Sequence, residues 1–222
     1  MAGNKSDYWL SKSTFIRGIQ CEKSLYLHKK RPFLRDRLSE LQRAKFNRGT
    51  YIGVLARDLF PGGKNAAPPS HFHMKKSVEQ TKQWIEEGVE IIYEAGFENE
   101  GVVIALDILE KTNSGWNAYE VKSSREVSET YMWDAALQAW VIIHSGLKLE
   151  KFFIIHINPD YILEGSLNLD KLFVKKELTE YVFSQQGIIE EKVGRFAKTL
   201  ALKNSPAIPI GLHCHKPYPC DF

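Results

Sequence analysis

The sequence predicts an α/β domain in which a mixed β-sheet is flanked by helices, and three observations carry that expectation. Three apolar segments follow one another at Val89–Phe97, Val102–Lys111 and Trp116–Ser123, separated by short polar turns. The stretch Thr130–His144 then reads as a helix that stops at Ser145 and Gly146. Residues Lys151 to Ile157 form a nearly continuous apolar strand ahead of Asn158 and Pro159. Helix Thr130–His144 is expected to cover one sheet face, and helices nearer the N-terminus the edge or the opposite side.

The remaining elements follow in order. Ser13 is placed to cap a first helix running through Ile16 and Ile19 into Leu25, Tyr26 and Leu27, where apolar residues recur at helical intervals. A second helix is expected from Leu38 to Leu59, ended by Pro61, Gly62 and Gly63. A third spans Ser77 to Glu87, with Ser77 as its cap and Gln80 three residues on. Residues Tyr161 to Phe173 carry no clear pattern, and Glu177 to Lys203 reads as one long helix leading to a Cys-bearing tail. The whole is expected to form a single domain over residues 1–222, with its core at about 77–158, a helical region at 10–62 and a tail region at 175–222.

Composition narrows the class. At 222 residues and 43% hydrophobic the chain can build one well-packed core, and 26% charged residues is near the globular average. The formal net charge of +3 neither demands nor excludes nucleic acid. No 18-residue apolar run occurs, so no membrane span is expected. The first residues lack the apolar core of a signal peptide, which points to the cytoplasm. Disulfides are rare there, and clustered cysteines more often bind metals.

The chemistry concentrates in two adjacent strands. In Trp116–Lys122, Glu120 and Lys122 are two residues apart and so share a face, while Val121 points the other way. If the preceding turn is Thr112–Gly115, Lys111 pairs with Trp116 and Asp107 falls opposite Glu120. A loop one residue longer would turn Asp107 to the wrong face. Two carboxylates and an ammonium would then converge on a patch suited to Mg2+ or Mn2+, since hard cations take oxygen ligands alongside waters and substrate phosphate. Lys122 would orient a water or meet developing negative charge. The plain structural alternative is a cross-strand salt bridge on a solvated face, which adds little.

The arrangement Asp107…Glu120-Val121-Lys122 resembles the D…ExK signature of the PD-(D/E)XK nuclease superfamily, and the rest of the chain resembles its RecB-like branch, which includes the nucleases of CRISPR spacer acquisition. The order helix, three strands, helix, strand is the core order of the restriction-endonuclease-like fold. The resemblance implies a backbone carbonyl ligand at Val121 and a supporting role for Gln138 on the following helix. A Tyr is usual four residues after that Gln; here the position is Ile142. Glu94, on the strand before Asp107, faces the same side if the turn is Glu98–Gly101, and would add an acidic group. The family's metal-binding His has no counterpart: Gly53 stands at that position, leaving Glu94, His71 and His73 as candidates.

Cys21 near the start and Cys214 and Cys220 near the end resemble the iron–sulfur staple of RecB-like nucleases. A [4Fe–4S] cluster normally takes four thiolates, so a fourth would lie in a longer chain. Alternatively His213 or His215 completes a zinc-type site, or the three are ordinary thiols. A basic stretch containing Lys29, Lys30, Arg31 and Arg48, interleaved with Tyr26 and Phe33, fits a surface that tracks phosphates and stacks bases, though such runs also form solvated helix faces.

The resemblance therefore implies a metal-dependent deoxyribonuclease, an exonuclease in the first reading, acting on single-stranded DNA or duplex ends. The alternatives are a catalytically inactive nucleic-acid-binding module of the same fold, and a structural metal-binding interaction protein.

Overall fold

The computed structural model describes residues 9–37, 40–70 and 73–222. They form β1 (Leu10–Ser11), α1 (Lys12–Gln20), α2 (Glu22–Lys30), α3 (Glu40–Ala56), β2 (Lys64–Asn65), α4 (Met74–Glu86), β3 (Ile91–Asn99), β4 (Val102–Lys111), β5 (Trp116–Lys122), α5 (Glu129–His144), β6 (Leu149–Ile157), α6 (Leu169–Leu172), β7 (Phe173–Glu177), α7 (Thr179–Ser184) and α8 (Gln186–Ala201). The seven strands make one mixed sheet in the order β2-β3-β4-β5-β6-β7, with β1 on β4. Pairs β3–β4, β4–β5 and β6–β7 are antiparallel, while β1–β4, β2–β3 and β5–β6 are parallel. The expected α/β class and core order are found, from α4 through β3, β4, β5 and α5 to β6.

Both sheet faces are buried. The larger apolar cluster brings Phe15 of α1, Leu25 of α2, Leu137 and Trp140 of α5 and Phe196 of α8 against Leu106, Leu109, Ala118 and Phe152. A smaller one packs Ala56 and Phe60 over Tyr93, Ile108, Tyr119 and Ile155 on the opposite face. No helix among the described residues is long and apolar enough to cross a membrane.

Several elements differ from the sequence expectation, each for a local reason. Ser11, not Ser13, precedes the first helix, and its backbone N–H donates to Thr14 Oγ1 at 2.8 Å. That helix is also broken: Cys21 is extended, with φ −163° and ψ 117°, so α1 and α2 are separate rods. The expected start at Leu38 lies outside the described residues, and that helix ends in a 3-10 turn at Arg57–Leu59. α4 starts at Met74, so Ser77 is not a cap; it is buried, its hydroxyl donating to the carbonyl of Glu94 at 3.2 Å. The long helix expected from Glu177 is two helices, preceded by β7, whose Lys175, Lys176 and Glu177 are exposed on the sheet edge. Charges blunt an edge strand against further pairing, and they also hide it from an apolar pattern search.

The feature that positions the candidate site is how β4 shares its neighbours. Beside β3, β4 pairs with β1 through Val102 and Val103, and with β5 from Ile108 to Lys111. Between those two pairings the sheet forks. At the same level the inside–outside alternation slips by one. Leu106 and Leu109 both join the larger cluster while Ile108 joins the smaller, and on β3 Ile92 and Ala95 join the larger while Tyr93 joins the smaller. The slip falls at Asp107 and Glu94, which stand opposite each other between the pairs Tyr93↔Ile108 and Ala95↔Leu106. Glu94 takes φ 51°, a left-handed conformation rare outside glycine and frequent where a site imposes strain.

Candidate active site

The turn before β5 is the expected Thr112–Gly115. The Thr112 N–H donates to the Gly115 carbonyl at 2.9 Å, and Thr112 Oγ1 accepts from the N–H groups of Ser114 at 3.2 Å and Gly115 at 2.9 Å. Lys111 pairs with Trp116, and the register carried forward sets Asp107 across from Glu120. There the β4–β5 pairing stops, and the Val121 N–H donates to Asp107 Oδ2 at 2.6 Å. Glu120, only 3% exposed, extends the face of Ala118 toward α5.

Lys122 lies on that same face. Its Nζ donates to Glu120 Oε1 at 2.7 Å and to Asp134 Oδ2 at 2.5 Å. Gln138, one turn after Asp134 on α5, is fully buried and donates through Nε2 to Asp134 Oδ1 at 3.3 Å, while its Oε1 is buried with no partner. The structure thus brings Asp107, Glu120, Lys122 and Gln138 together.

Two members escaped the sequence reading. Asp134 was legible in principle, because a spacing of four from Gln138 puts both on one helix face. Lys12 was not. It is the first residue of α1, delivered to the fork by β1, and its Nζ donates to Glu120 Oε1 at 3.0 Å and Oε2 at 3.1 Å. The two residues are 108 apart in sequence, and only the β1–β4 pairing relates them.

The charges are strongly interdependent. Burial, with the nearby negative charge of Glu120, pushes the Asp107 carboxyl well above the usual carboxylate range. Burial acts on Glu120 in the same direction, but the Lys12 and Lys122 ammoniums outweigh it and hold Glu120 below its ordinary value. Burial opposes the charge on Lys122 as well, yet Asp134 and Glu120 keep it firmly protonated. Lys122 therefore carries its positive charge between two carboxylates in this arrangement.

Glu94 stands opposite Asp107, and its charge contributes to the raised Asp107 pKa. The turn beyond it is Glu100–Gly101, two residues shorter than expected, with Asn99 paired to Val102 and both turn residues at positive φ. A two-residue register change keeps Glu94 level with Asp107, but the left-handed backbone at Glu94 breaks the alternation that would have fixed its face. Its carboxylate is taken by Arg57, whose Nη2 donates to Oε1 at 2.7 Å. Gly53 lies four residues before Arg57, and a Cβ there would meet nothing within 4 Å. His73 is at the start of α4, bonded through Nδ1 to Ser70 Oγ at 2.8 Å; His71 lies outside the described residues. Ile142 is core. Lys29 and Lys30 end α2, Arg31 follows as its cap, and Arg48 is exposed on α3.

The three cysteines are free and half-buried. The Cys220 N–H donates to the Cys214 carbonyl at 2.8 Å. Gln20, the neighbour of Cys21, donates to the carbonyls of His213 and Tyr218, both at 2.7 Å, so the tail lies against the α1–α2 junction. Asp221 closes this corner, accepting from Arg17 Nη1 at 2.5 Å, from Arg17 Nη2 at 2.9 Å and from Arg35 Nε. Among the described residues no group of three or more His, Cys, Asp or Glu is arranged to hold a metal ion, at the tail or at the fork.

No protein-family model and no curated protein matches this chain. Solved structures similar to it include the alkaline exonuclease LHK-Exo from Laribacter hongkongensis, at 13% identity and TM-score 0.47, over 86% of this chain and 87% of that one. Another is SSO0001, at 12% identity and TM-score 0.47, over 90% of this chain and 78% of that one. The functional reading rests on the geometry of the fork.

Proposed function

We propose that this chain is a metal-dependent deoxyribonuclease of the PD-(D/E)XK type that hydrolyses phosphodiester bonds at the fork between β4 and β5. The supporting observation is the convergence of Asp107, Glu120 and Lys122 at one buried spot where the sheet opens. The donors on offer fit a hard divalent cation: two carboxylates, the main-chain carbonyl of Val121, and beside them the unpartnered Oε1 of Gln138. Mg2+ or Mn2+ held by Asp107, Glu120 and Val121 would supply a water of lowered pKa and neutralise charge on the phosphate.

The chain's own residues do the rest. Lys122, locked by Asp134 and Glu120, presents a preorganised positive charge to the phosphate as negative charge develops. Asp134 and Gln138 act through it by fixing its position. Glu94, paired with Arg57, adds negative potential near Asp107. Lys29, Lys30, Arg31 and Arg48 are assigned to the DNA backbone.

A second reading is favoured by one observation. Both oxygens of Glu120 accept from Lys12, and Gly53 stands where the family carries a His. A nucleic-acid-binding module that has lost catalysis would look the same. The deciding assay is cleavage of labelled single- and double-stranded DNA with Mn2+, comparing wild type with Lys122→Ala. Cutting by wild type, reduced at least about a hundredfold in the variant, is the expected result. Equal cutting by both removes this mechanism, and binding without cutting by either supports the module.

A further inference from the structure

We propose that Lys12 is an internal stand-in for the metal: its ammonium holds Glu120 in the resting protein and is exchanged for a divalent ion when the site loads. The inference rests on the fork being a metal site, as argued above.

The two lysines on Glu120 are not equivalent. Lys122 is anchored twice, by Glu120 and Asp134, and its ammonium also lies 5.1 Å from the Tyr131 ring centroid. Lys12 has a single ion pair among the described residues, with Glu120, and its side chain is the more open, at 26% against 17%. Yet Lys12 spans both carboxylate oxygens, the face a metal ion would need. A dication and two ammoniums cannot share one carboxylate without strong repulsion at such separations. The ammonium that leaves must be the one with less holding it. Lys12 can go without disturbing the fold, because it is the first residue of α1 and has a flexible four-carbon stem.

A second observation shows that the pocket is not completed by its own side chains. Gln138 Oε1 is fully buried beside Asp134 and accepts no hydrogen bond. Lys12 satisfies Glu120 but not this neighbour.

The test needs no DNA. Mn2+ binding is measured by calorimetry for wild type, Lys12→Gln and Lys12→Arg, and Lys12 in the wild type is labelled with an acylating reagent, with and without Mn2+. Lys12→Gln is expected to bind Mn2+ at least about tenfold more tightly than wild type. Lys12→Arg, whose guanidinium can still span the carboxylate, should stay near wild type. Labelling of Lys12 should rise several-fold on saturation with Mn2+, while labelling of Lys122 stays low. Unchanged affinity in Lys12→Gln, or unchanged labelling of Lys12 when Mn2+ is bound, overturns the exchange. The labelling arm uses wild-type protein and so does not depend on the variant folding. DNA cleavage with no gain in Mn2+ affinity would sink the exchange alone. Tighter Mn2+ binding with no cleavage by wild type would sink the nuclease reading alone, and no Mn2+ binding by any of the three proteins would sink both.

Discussion

Two corners of this molecule solve the same electrostatic problem in different ways. At the fork, Glu120 carries the ammoniums of Lys12 and Lys122. At the tail, Asp221 carries the guanidiniums of Arg17 and Arg35. The tail uses planar forks: Arg17 engages both carboxylate oxygens through two nitrogens, a geometry that fixes orientation as well as charge. Burial works against ionisation of Asp221, but the two arginines overcome it and draw its pKa down to about 2. The fork uses point charges on flexible stems and leaves Asp107 disfavoured as an anion. The tail is held by geometry as well as charge, whereas on the proposed reading the fork takes on another cation.

That contrast can be sharpened by substitution. The largest effect is expected from Asp107→Asn, which should lower DNA cleavage by at least about a hundredfold. Stability should move the other way. The folded-state pKa of Asp107 is raised, so its contribution is fully present below the ordinary carboxylate range and is lost as pH rises through the raised value. Asn escapes that loss while its carbonyl can still accept from Val121. The variant's Tm should therefore exceed wild type by more at about pH 8 than at about pH 4, measured by thermal melts. The same difference in Tm at both pH values would mean that ionising Asp107 costs the fold nothing.

Asp221→Ala should act oppositely, with little loss of cleavage but a clear loss of stability. It leaves two guanidiniums without their carboxylate, at a cost of about 1–2 kcal/mol once partial exposure is allowed for. Denaturant unfolding reads that value, and a variant as stable as wild type would show that the clamp is ornamental.

The smallest expected effect belongs to His28, on α2 near the same corner. Burial, then the charges of Arg17 and Arg35, bring its pKa down to about 4, and its buried Nδ1 has no partner. A depressed histidine pKa means that folding favours the neutral ring. The stability it contributes is present above the ordinary histidine value and is lost as pH falls from about 6.5 through the folded value. His28→Gln should flatten the acid limb of the Tm–pH curve, and an unchanged limb would exclude this source.

How much of this was readable beforehand depended on distance along the chain. The Asp107–Glu120–Lys122 grouping was legible because one four-residue turn fixes the register of two neighbouring strands, and period-two geometry then sets the faces. Val102–Lys111 has the bounds expected of it. The level of Glu94 beside Asp107 survived a turn two residues shorter than expected, but its face could not be read, because its left-handed backbone breaks the alternation. What could not be read was remote or masked by charge. Lys12 reaches the site through a two-residue strand, the charges of β7 leave it without an apolar strand pattern, and the break at Cys21 leaves no local signal. The sequence also does not reveal that the alternation slips at Asp107, because an apolar run reads alike in either phase.

One helix touches both corners. α1 carries Lys12 at its first residue and Arg17 in its final turn, and nine residues make a rod only about 13 Å long. A rod of that length transmits displacement with little give. The lysine on Glu120 and the arginine on Asp221 therefore share a single short support, so the place of one sets the place of the other.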